Sequence, residues 1–313
     1  MKKLLLAFTL LLQAEFYAQS VPNGGFEEWT STTFDDADGW VTSNNESVGY
    51  YGVPTVTKVT GQTGFAYRME TIVSGSDTTS GYLLNSEGDF FNGEGGWPYS
   101  QQPTSITGYY RYNLPANDTA LMIVIFKASG SIISMDIFKI KGTGSQSTFA
   151  AFSFPLSLSS MPDSVLFAAT SSNLMTEQGI EPGSFLELDG LAFAGTGITQ
   201  VISNGSFENW TPQTLNKLDD WTVWGVEGVS RTTDAYAGTY ALRLQNNSYM
   251  NNGVLTAYPS VISTGNPGNS VYGLPYSNMV DTLCGYYKYT VTGATDSAFV
   301  SFTLLDSTDS IIG

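Results

Sequence analysis

The 313-residue chain contains no histidine and a single cysteine. Without histidine it has no Ser-His or Cys-His nucleophilic pair, no common zinc site and no imidazole general base. One cysteine cannot form an intramolecular disulfide, so core burial, a bound metal or both must stabilise the fold. Cys284 itself is predicted to be a buried strand residue.

Positive charge is also scarce, with 12 Lys and Arg against 28 Asp and Glu and a formal net charge of −16. Such a chain repels nucleic acid and anionic membranes. It is compatible with neutral glycans and divalent cations, although solubility outside the cell explains the acidity equally well. No glycine-rich loop is followed by Lys-Ser, so the familiar phosphate-binding motif is absent.

Loop carboxylates leave one route to catalysis chemically open. Asp35, Asp36, Asp38 and Glu94 all lie in predicted loops, and a facing pair of carboxylates could hydrolyse a glycoside. Nothing in the sequence identifies two that face each other across a cleft, and loop acids are usually solvated. We therefore expect a protein that is not an enzyme.

The N-terminus has the layout of a secretory signal. Lys2 and Lys3 precede an apolar run at 4–12, and the polar mature chain begins after Ala18. We predict a signal peptide over residues 1–18 and a protein that is secreted or displayed at the cell surface. No later stretch reaches the roughly 20 apolar residues of a membrane span, so we expect no membrane insertion.

The chain contains an internal repeat. Asn-Gly-Gly-Phe-Glu-Glu-Trp-Thr at 23–30 returns as Asn-Gly-Ser-Phe-Glu-Asn-Trp-Thr at 204–211. Further matches follow in the same order, pairing 65–69 with 240–244, 98–100 with 275–277, 108–112 with 285–289, 118–120 with 296–298, and 131–133 with 310–312. We predict two modules, here called the first repeat (20–197) and the second repeat (201–313), the second lacking about 60 residues at its end.

Each repeat has the pattern of short strands. Residues 120–126 form an unbroken apolar run of strand length, and 299–304 show a half-buried pattern in the second repeat. Clusters of Gly, Ser, Asn, Pro and Thr separate such runs, and no window has a convincing helical period. The sequence therefore predicts an all-β protein of two tandem antiparallel β-sandwiches, the second truncated.

Several motifs carry a resemblance to a known family. The opening motif at 23–27, Trp40, the strand at 64–69 and the closing Leu-Asp-Gly-Leu at 188–191 resemble the jelly-roll carbohydrate-binding modules related to galactose-binding domains. Gln-Pro-Thr at 102–104 and the Gly-Tyr-Tyr-Arg-Tyr that follows resemble, more narrowly, the carbohydrate metabolism domain of Bacteroidetes secreted proteins. The resemblance implies a jelly-roll fold and a polysaccharide or glycan ligand.

The same resemblance implies a structural calcium. Alternation along the closing strand places Asp189 on the face of Leu191 and Phe193, where its carboxylate needs turn hydrogen bonds, a basic partner or a hard cation. In the family, calcium is held by the Glu of the opening motif and the Asp of the closing strand. This nominates Glu27 and Asp189, with Glu208 as the counterpart of Glu27; that these side chains merely cap turns is equally open.

Aromatic side chains are the candidates for contacting a sugar. Tyr51, Trp97, Tyr99 and Tyr276 lie in polar or glycine-rich surroundings where exposed rings could stack on a pyranose face. Leu274 stands where the first repeat has Trp97, which favours a packing role for that tryptophan. We expect a non-catalytic pair of glycan-binding modules; the alternative is a structural or adhesive surface protein, stiffened by calcium, with no saccharide site.

Overall fold

A computed structural model describes residues 21–75, 77–86, 90, 93–115, 117–141, 144–176, 180–251, 254–266, 271–277, 280, 282–290, 293 and 296–312. The predicted signal peptide, 1–18, lies outside these residues and stays a prediction. Within the described part of the chain, no helix is long and apolar enough to cross a membrane.

The first repeat supplies most of the regular structure. Its elements are β1 (Trp29–Ala37), β2 (Val41–Thr42), α1 (Asn44–Tyr51), β3 (Val56–Thr60), β4 (Phe65–Glu70), β5 (Ile72–Ser74), β6 (Asp77–Thr79), β7 (Tyr82–Leu84), β8 (Trp97–Pro98), β9 (Ser105–Leu114), β10 (Thr119–Ala128), β11 (Ser131–Lys141), β12 (Gly144–Pro155), β13 (Ser164–Thr170) and β14 (Phe185–Ala194).

The second repeat contributes shorter strands and one 3-10 turn at Val226–Gly228. Its strands are β15 (Trp210–Leu218), β16 (Thr222–Trp224), β17 (Val229–Thr232), β18 (Ala241–Leu244), β19 (Asn247–Asn251), β20 (Val254–Tyr258), β21 (Val261–Ser263), β22 (Gly265–Asn266) and β23 (Val271–Tyr272).

Two antiparallel sheets form a β-sandwich. The back sheet has the order β11-β10-β13-β7-β2, with β8 also paired to β13, and the front sheet has the order β12-β9-β14-β4-β3. The chain passes between the sheets from β4 to β7, from β9 to β10, from β11 to β12 and from β13 to β14. Four strands of each sheet thus interleave as in a jelly roll, which confirms the all-β, jelly-roll prediction.

The position of β10 in the back sheet explains why residues 120–126 are apolar without interruption. Met122, Val124 and Phe126 enter the core between the two sheets. Ile123 and Ile125 face the opposite side of the back sheet and pack in a second cluster with Phe90, from the loop after β7. Because both faces of β10 are covered over 120–126, these positions need no polar side chain.

Helix α1 was not predicted. The Asn44 side chain accepts a hydrogen bond from the Val56 amide (2.9 Å) and donates one to the Val56 carbonyl oxygen (3.1 Å). Ser47 accepts a hydrogen bond from the Thr55 amide (3.2 Å), and the helix ends at Gly52 with a φ of 76°. These contacts join the helix to β3, so tertiary structure rather than an amphipathic pattern fixes it.

Strand β15 of the second repeat pairs with β1. The other strands of its described part form the two-stranded ladders β16–β21, β17–β18, β19–β20 and β22–β23. The predicted strand at 299–304 is not formed there, and Cys284 is exposed outside any strand, so both predictions were wrong. In the first repeat, the equivalent strand β10 lies between β11 and β13. The two-domain division stays a prediction.

Strand β1 joins the two repeats. It pairs antiparallel with β15 along its whole length, from Trp29 opposite Leu218 to Ala37 opposite Trp210. The ladder therefore joins one strand of the first repeat to one strand of the second.

The motifs that precede these strands consequently exchange places. Phe207, from the second repeat, is fully buried in the sandwich core, with its ring 5.8 Å from that of Trp40. Phe26, from the first repeat, packs instead on Trp221, the counterpart of Trp40, at 5.6 Å.

Candidate functional site

The closing strand buries a carboxylate, but not on the face that the sequence predicts. Leu188 and Leu191 both belong to the core between the sheets. The pairing of β14 with β9 shifts register between Asp189 and Ala192, and Gly190 has a φ of 60°. This bulge inserts a residue, so Asp189 faces away from the core while Leu191 returns to it.

Asp189 is nonetheless only 1% exposed. Its Oδ2 accepts a hydrogen bond from the Thr63 amide at 3.1 Å, whereas its buried Oδ1 has no partner among the described residues. Burial raises the pKa of Asp189 above its ordinary value of 3.8; the amides of Thr63, Gln62 and Gly190 offset part of the rise, and the Glu208 carboxylate adds to it.

Glu208, not Glu27, is the glutamate beside Asp189. It accepts a hydrogen bond from the Phe65 amide at 3.0 Å. Glu27 accepts hydrogen bonds from the amides of Thr239 and Tyr240 at 3.0 to 3.2 Å in the second repeat. The structure therefore does not bring Glu27 and Asp189 together, because the exchange of opening motifs carries each glutamate to the other repeat.

The residues around Asp189 fit a hard cation in part. They offer an unpartnered buried carboxylate oxygen and a neighbouring exposed carboxylate, the oxygen ligands that calcium prefers. No group of three or more His, Cys, Asp or Glu suited to a metal occurs in the described residues. Backbone carbonyls or water would have to complete the coordination.

The predicted sugar-contacting aromatics do not form one site. Tyr99 is 3% exposed, with its ring 4.8 Å from Phe193 in the core, and burial raises its pKa to about 12. Trp97 is half-buried against Trp40, with ring centroids 4.6 Å apart. The ring of Tyr99 is therefore not presented to a ligand, because it fills the sandwich.

The remaining predicted aromatics lie elsewhere. Tyr51 is half-buried at the end of α1, with its ring 6.1 Å from that of Tyr50. Tyr276 is 41% exposed in a segment without regular structure.

The outward face of the front sheet carries an ionic network that the sequence reading did not identify. Glu187 on β14 stands opposite Arg68 on β4 and Arg111 on β9 in the same register. Its side chain is 1% exposed; one oxygen accepts a hydrogen bond from Arg68 at 3.1 Å and the other from Arg111 Nε. Arg68 also binds Glu70, at 2.9 Å.

Aromatic rings hold both guanidinium groups. Arg68 Cζ lies 3.7 Å from the centroid of the Phe185 ring, and Arg111 Cζ lies 4.7 Å from that of Phe149. Stacking on a ring and pairing with Glu187 restrict both side chains, which lowers the entropy that they lose when they bind a ligand.

Beside this network the front sheet has an open groove of about 330 Å³, here called the front groove. It is lined by Arg68, Arg111, Tyr112, Asn113, Ser145, Ser147, Phe185 and Glu187. Both oxygens of Glu187 are bound to arginines, so this carboxylate positions donors rather than transferring protons. Within the described residues the terminal nitrogens of Arg111 make no hydrogen bond and remain available as donors.

Asp35 and Asp36 lie on β1 and not in a loop as predicted, and the carboxylates considered for catalysis lie outside the front groove. Asp35 pairs with Lys58 at 2.5 Å. Asp36 accepts hydrogen bonds from Thr42 and Asn44, although burial, the larger effect, raises its pKa. Asp38 accepts a hydrogen bond from Thr211, at 2.7 Å.

A sequence signal for the front groove existed. Positive charge recurs at equivalent sequence positions of the two repeats, Arg68 matching Arg243 and Arg111 matching Lys288. A charge at alternate positions of an otherwise apolar strand marks the outward face of a sheet. Which outward faces come together could not be read from the sequence, because it depends on the strand order.

No protein-family model matches the chain. No curated protein matches it either. Among solved structures, a candidate glycoside hydrolase from Bacteroides thetaiotaomicron is similar at 16% identity and a TM-score of 0.39; the match covers 51% of this chain and 63% of that chain, so it spans under two thirds of that protein.

Two carbohydrate-binding modules are similar at lower TM-scores. The family 11 module of Clostridium thermocellum, solved with a mixed-linked β-1,3-1,4 tetrasaccharide, has 12% identity and a TM-score of 0.27 over 55% of this chain and 92% of that chain. A family 16 module has 13% identity and a TM-score of 0.28 over 56% of this chain and 99% of that chain. At these TM-scores the matches define no common site, and the jelly-roll assignment rests on the strand order itself.

Proposed function

We propose that the protein binds a glycan, without catalysis, in the front groove of its jelly-roll sandwich. The carrying observation is the groove itself, in which Arg68, Arg111 and Asn113 lie beside the rings of Phe185 and Tyr112. Guanidinium and amide groups present several donors in fixed planes, which suits the hydroxyl groups of a sugar. Aromatic surface suits the apolar faces of pyranose rings.

The resemblance of the opening and closing motifs to jelly-roll carbohydrate-binding modules, and of residues 102–112 to a domain of Bacteroidetes secreted proteins, supports the same proposal. We propose further that the protein acts at the cell surface or after secretion. The chemistry of the groove favours a neutral polysaccharide, since Glu187 and Glu70 balance the charges of Arg68 and Arg111.

Substitution of Phe185 by alanine is expected to weaken glycan binding about tenfold. The loss of one aromatic platform costs about 1–1.5 kcal/mol. Asn113→Ala should weaken binding by a similar factor through the loss of an oriented amide. Isothermal titration against a polysaccharide selected on a glycan array measures both effects.

Tyr51→Ala and Tyr276→Ala are the matched controls, because both are aromatic, lie outside the front groove and were named from the sequence. They should leave the affinity unchanged. Loss of binding in these two variants with full binding by Phe185→Ala would place the saccharide site elsewhere and refute the groove.

We also propose that calcium binds between Asp189 and Glu208. Calcium is expected to stabilise the folded chain, by about 2.7 kcal/mol at a free concentration one hundred times the dissociation constant. Asp189→Asn and Glu208→Gln should each abolish most of this gain in differential scanning calorimetry. Glu27→Gln is the control and should retain it, because Glu27 binds amides of the second repeat.

The metal-free protein supplies a second measurement. Because the folded-state pKa of Asp189 is raised, the folded chain loses stability as pH rises through that pKa and regains it as pH falls towards 3.8. Calcium should reverse this contribution, since it binds the ionised carboxylate. A chain whose stability at neutral pH is the same with calcium and with a chelator would contradict the site.

A structural or adhesive surface protein, stiffened by calcium and without a saccharide site, is the second candidate. The observation that favours it is the β1–β15 ladder, which ties the two repeats together along a whole strand. Under this alternative, calcium raises the melting temperature and no glycan on the array binds.

A further inference from the structure

The two opening segments, 21–28 and 202–209, have the same internal structure. Asn23 uses its side-chain amide to bind the Glu28 backbone, at 2.8 and 3.0 Å, and Asn204 binds the Asn209 backbone in the same way, at 2.9 and 3.1 Å. The phenylalanine of each segment has a positive φ, 56° at Phe26 and 52° at Phe207. Each segment is thus a preformed unit.

The acceptor sites for these segments are equivalent too. Asn204 donates to the Asp38 carbonyl oxygen at 3.1 Å, and the Asp38 amide donates to the Asn209 carbonyl oxygen at 3.0 Å.

In the other repeat, the same two contacts recur at the counterpart of Asp38. Asn23 donates to the Asp219 carbonyl oxygen at 2.9 Å, and the Asp219 amide donates to the Glu28 carbonyl oxygen at 3.2 Å. Phe207 packs on Trp40 and Phe26 on the equivalent Trp221. Glu208 accepts a hydrogen bond from the amide at the start of β4, and Glu27 accepts hydrogen bonds from the amides just before the equivalent strand β18. One opening segment therefore satisfies either acceptor site.

The strand pairing that follows is self-complementary. Thr33 lies opposite Thr214, its own counterpart in the repeat, with their hydroxyl oxygens 3.0 Å apart. A pairing in which equivalent residues meet has a local two-fold axis, which is the geometry of an isologous, segment-exchanged dimer. Here two repeats of one chain occupy the places of the two subunits.

The two segments differ in how firmly they are held. Segment 202–209 follows the end of β14 by only a few residues, and its Phe207 is fully buried. In segment 21–28 the equivalent Phe26 is only half-buried. Segment 21–28 is therefore the one that can leave its acceptor site.

We propose that segment 21–28, with β1, is an assembly element whose partner is a second copy of this chain. It leaves the second repeat of its own chain and occupies the same acceptor site, around Trp221 and Thr239, of another copy. The same contacts form in both states, because segment 21–28 and β1 bind a second repeat in each case. Only the tether between them distinguishes the two states, and it favours the intrachain form below an effective concentration on the order of 1 mM.

Cysteine pairs across the two-fold axis test the proposal in the full chain. Thr33→Cys and Thr214→Cys replace exposed residues and are made in a Cys284→Ser background. A chain with both substitutions should close an intrachain disulfide at micromolar concentration. An equimolar mixture of the two single-cysteine chains, refolded together and oxidised, should give a covalent dimer linked through 33 and 214, identified by peptide mass spectrometry.

The fraction of this dimer is expected to rise about tenfold for a tenfold rise in protein concentration below the effective concentration of the tether. Thr33→Cys mixed with Thr211→Cys is the off-register control, because Thr211 lies opposite Asp36, and it should give no dimer. The proposal is overturned if the double variant closes its disulfide while the mixture forms no dimer at any concentration, or if the double variant does not close.

Discussion

Replacement of Phe207 by alanine is expected to lower the free energy of unfolding of the jelly-roll sandwich by about 3–5 kcal/mol. The residue belongs to the second repeat by sequence, yet its ring is fully buried among Trp40 and Tyr67 of the first repeat. The surrounding strands hold these rings in place, so the cavity cannot collapse. Chemical denaturation followed by tryptophan fluorescence measures the loss.

Phe26→Ala is the matched control for this substitution. Phe26 has the same place in the repeat but is only half-buried, against Trp221 outside the sandwich. It should leave the main unfolding transition near its original position. If Phe26→Ala instead destabilises the sandwich by several kcal/mol and Phe207→Ala does not, each opening segment packs in its own repeat.

The second large effect is expected from removal of both arginines that flank Glu187. Arg68→Met with Arg111→Met leaves a carboxylate that is 1% exposed without a cationic partner. A buried charge that loses its partners costs about 3–5 kcal/mol. Thermal and urea unfolding of the double variant should show that loss in the sandwich transition.

The triple variant with Glu187→Met added distinguishes this cause from simple loss of packing. An apolar set of similar volume can replace a buried ionic network at little cost, so most of the lost stability should return. Glycan binding should not return, because both guanidinium donors of the front groove are absent. A triple variant as unstable as the double variant would show that packing by the arginine stems, not the charge of Glu187, dominates.

Local patterns carried much of the fold. Turn residues between short apolar runs predicted an all-β protein, and the uninterrupted apolar run at 120–126 predicted the strand that forms as β10. Helix α1 was missed because no helical period marks it; Asn44 and Ser47 hold it through hydrogen bonds to Thr55 and Val56. A segment stabilised in this way has no signal in its own sequence.

The candidate site was less accessible to the sequence. Asp189 was expected on the core face because alternation was extended through Gly190, where a bulge inserts a residue. The pairing of Glu27 with Asp189 assumed that each repeat keeps its own opening motif. Arg68, Glu187 and Arg111 are far apart in the chain, and only the order β9-β14-β4 makes them neighbours.

The sequence by itself determined that the chain is repeated, rich in strands, strongly acidic and without histidine. These properties follow from composition and from periods of a few residues, which act locally. Tertiary structure alone decided where the opening segments dock, because both acceptor sites present the same backbone groups and an equivalent tryptophan. It alone decided the front groove, because a groove is made by the spatial order of strands and not by any one of them.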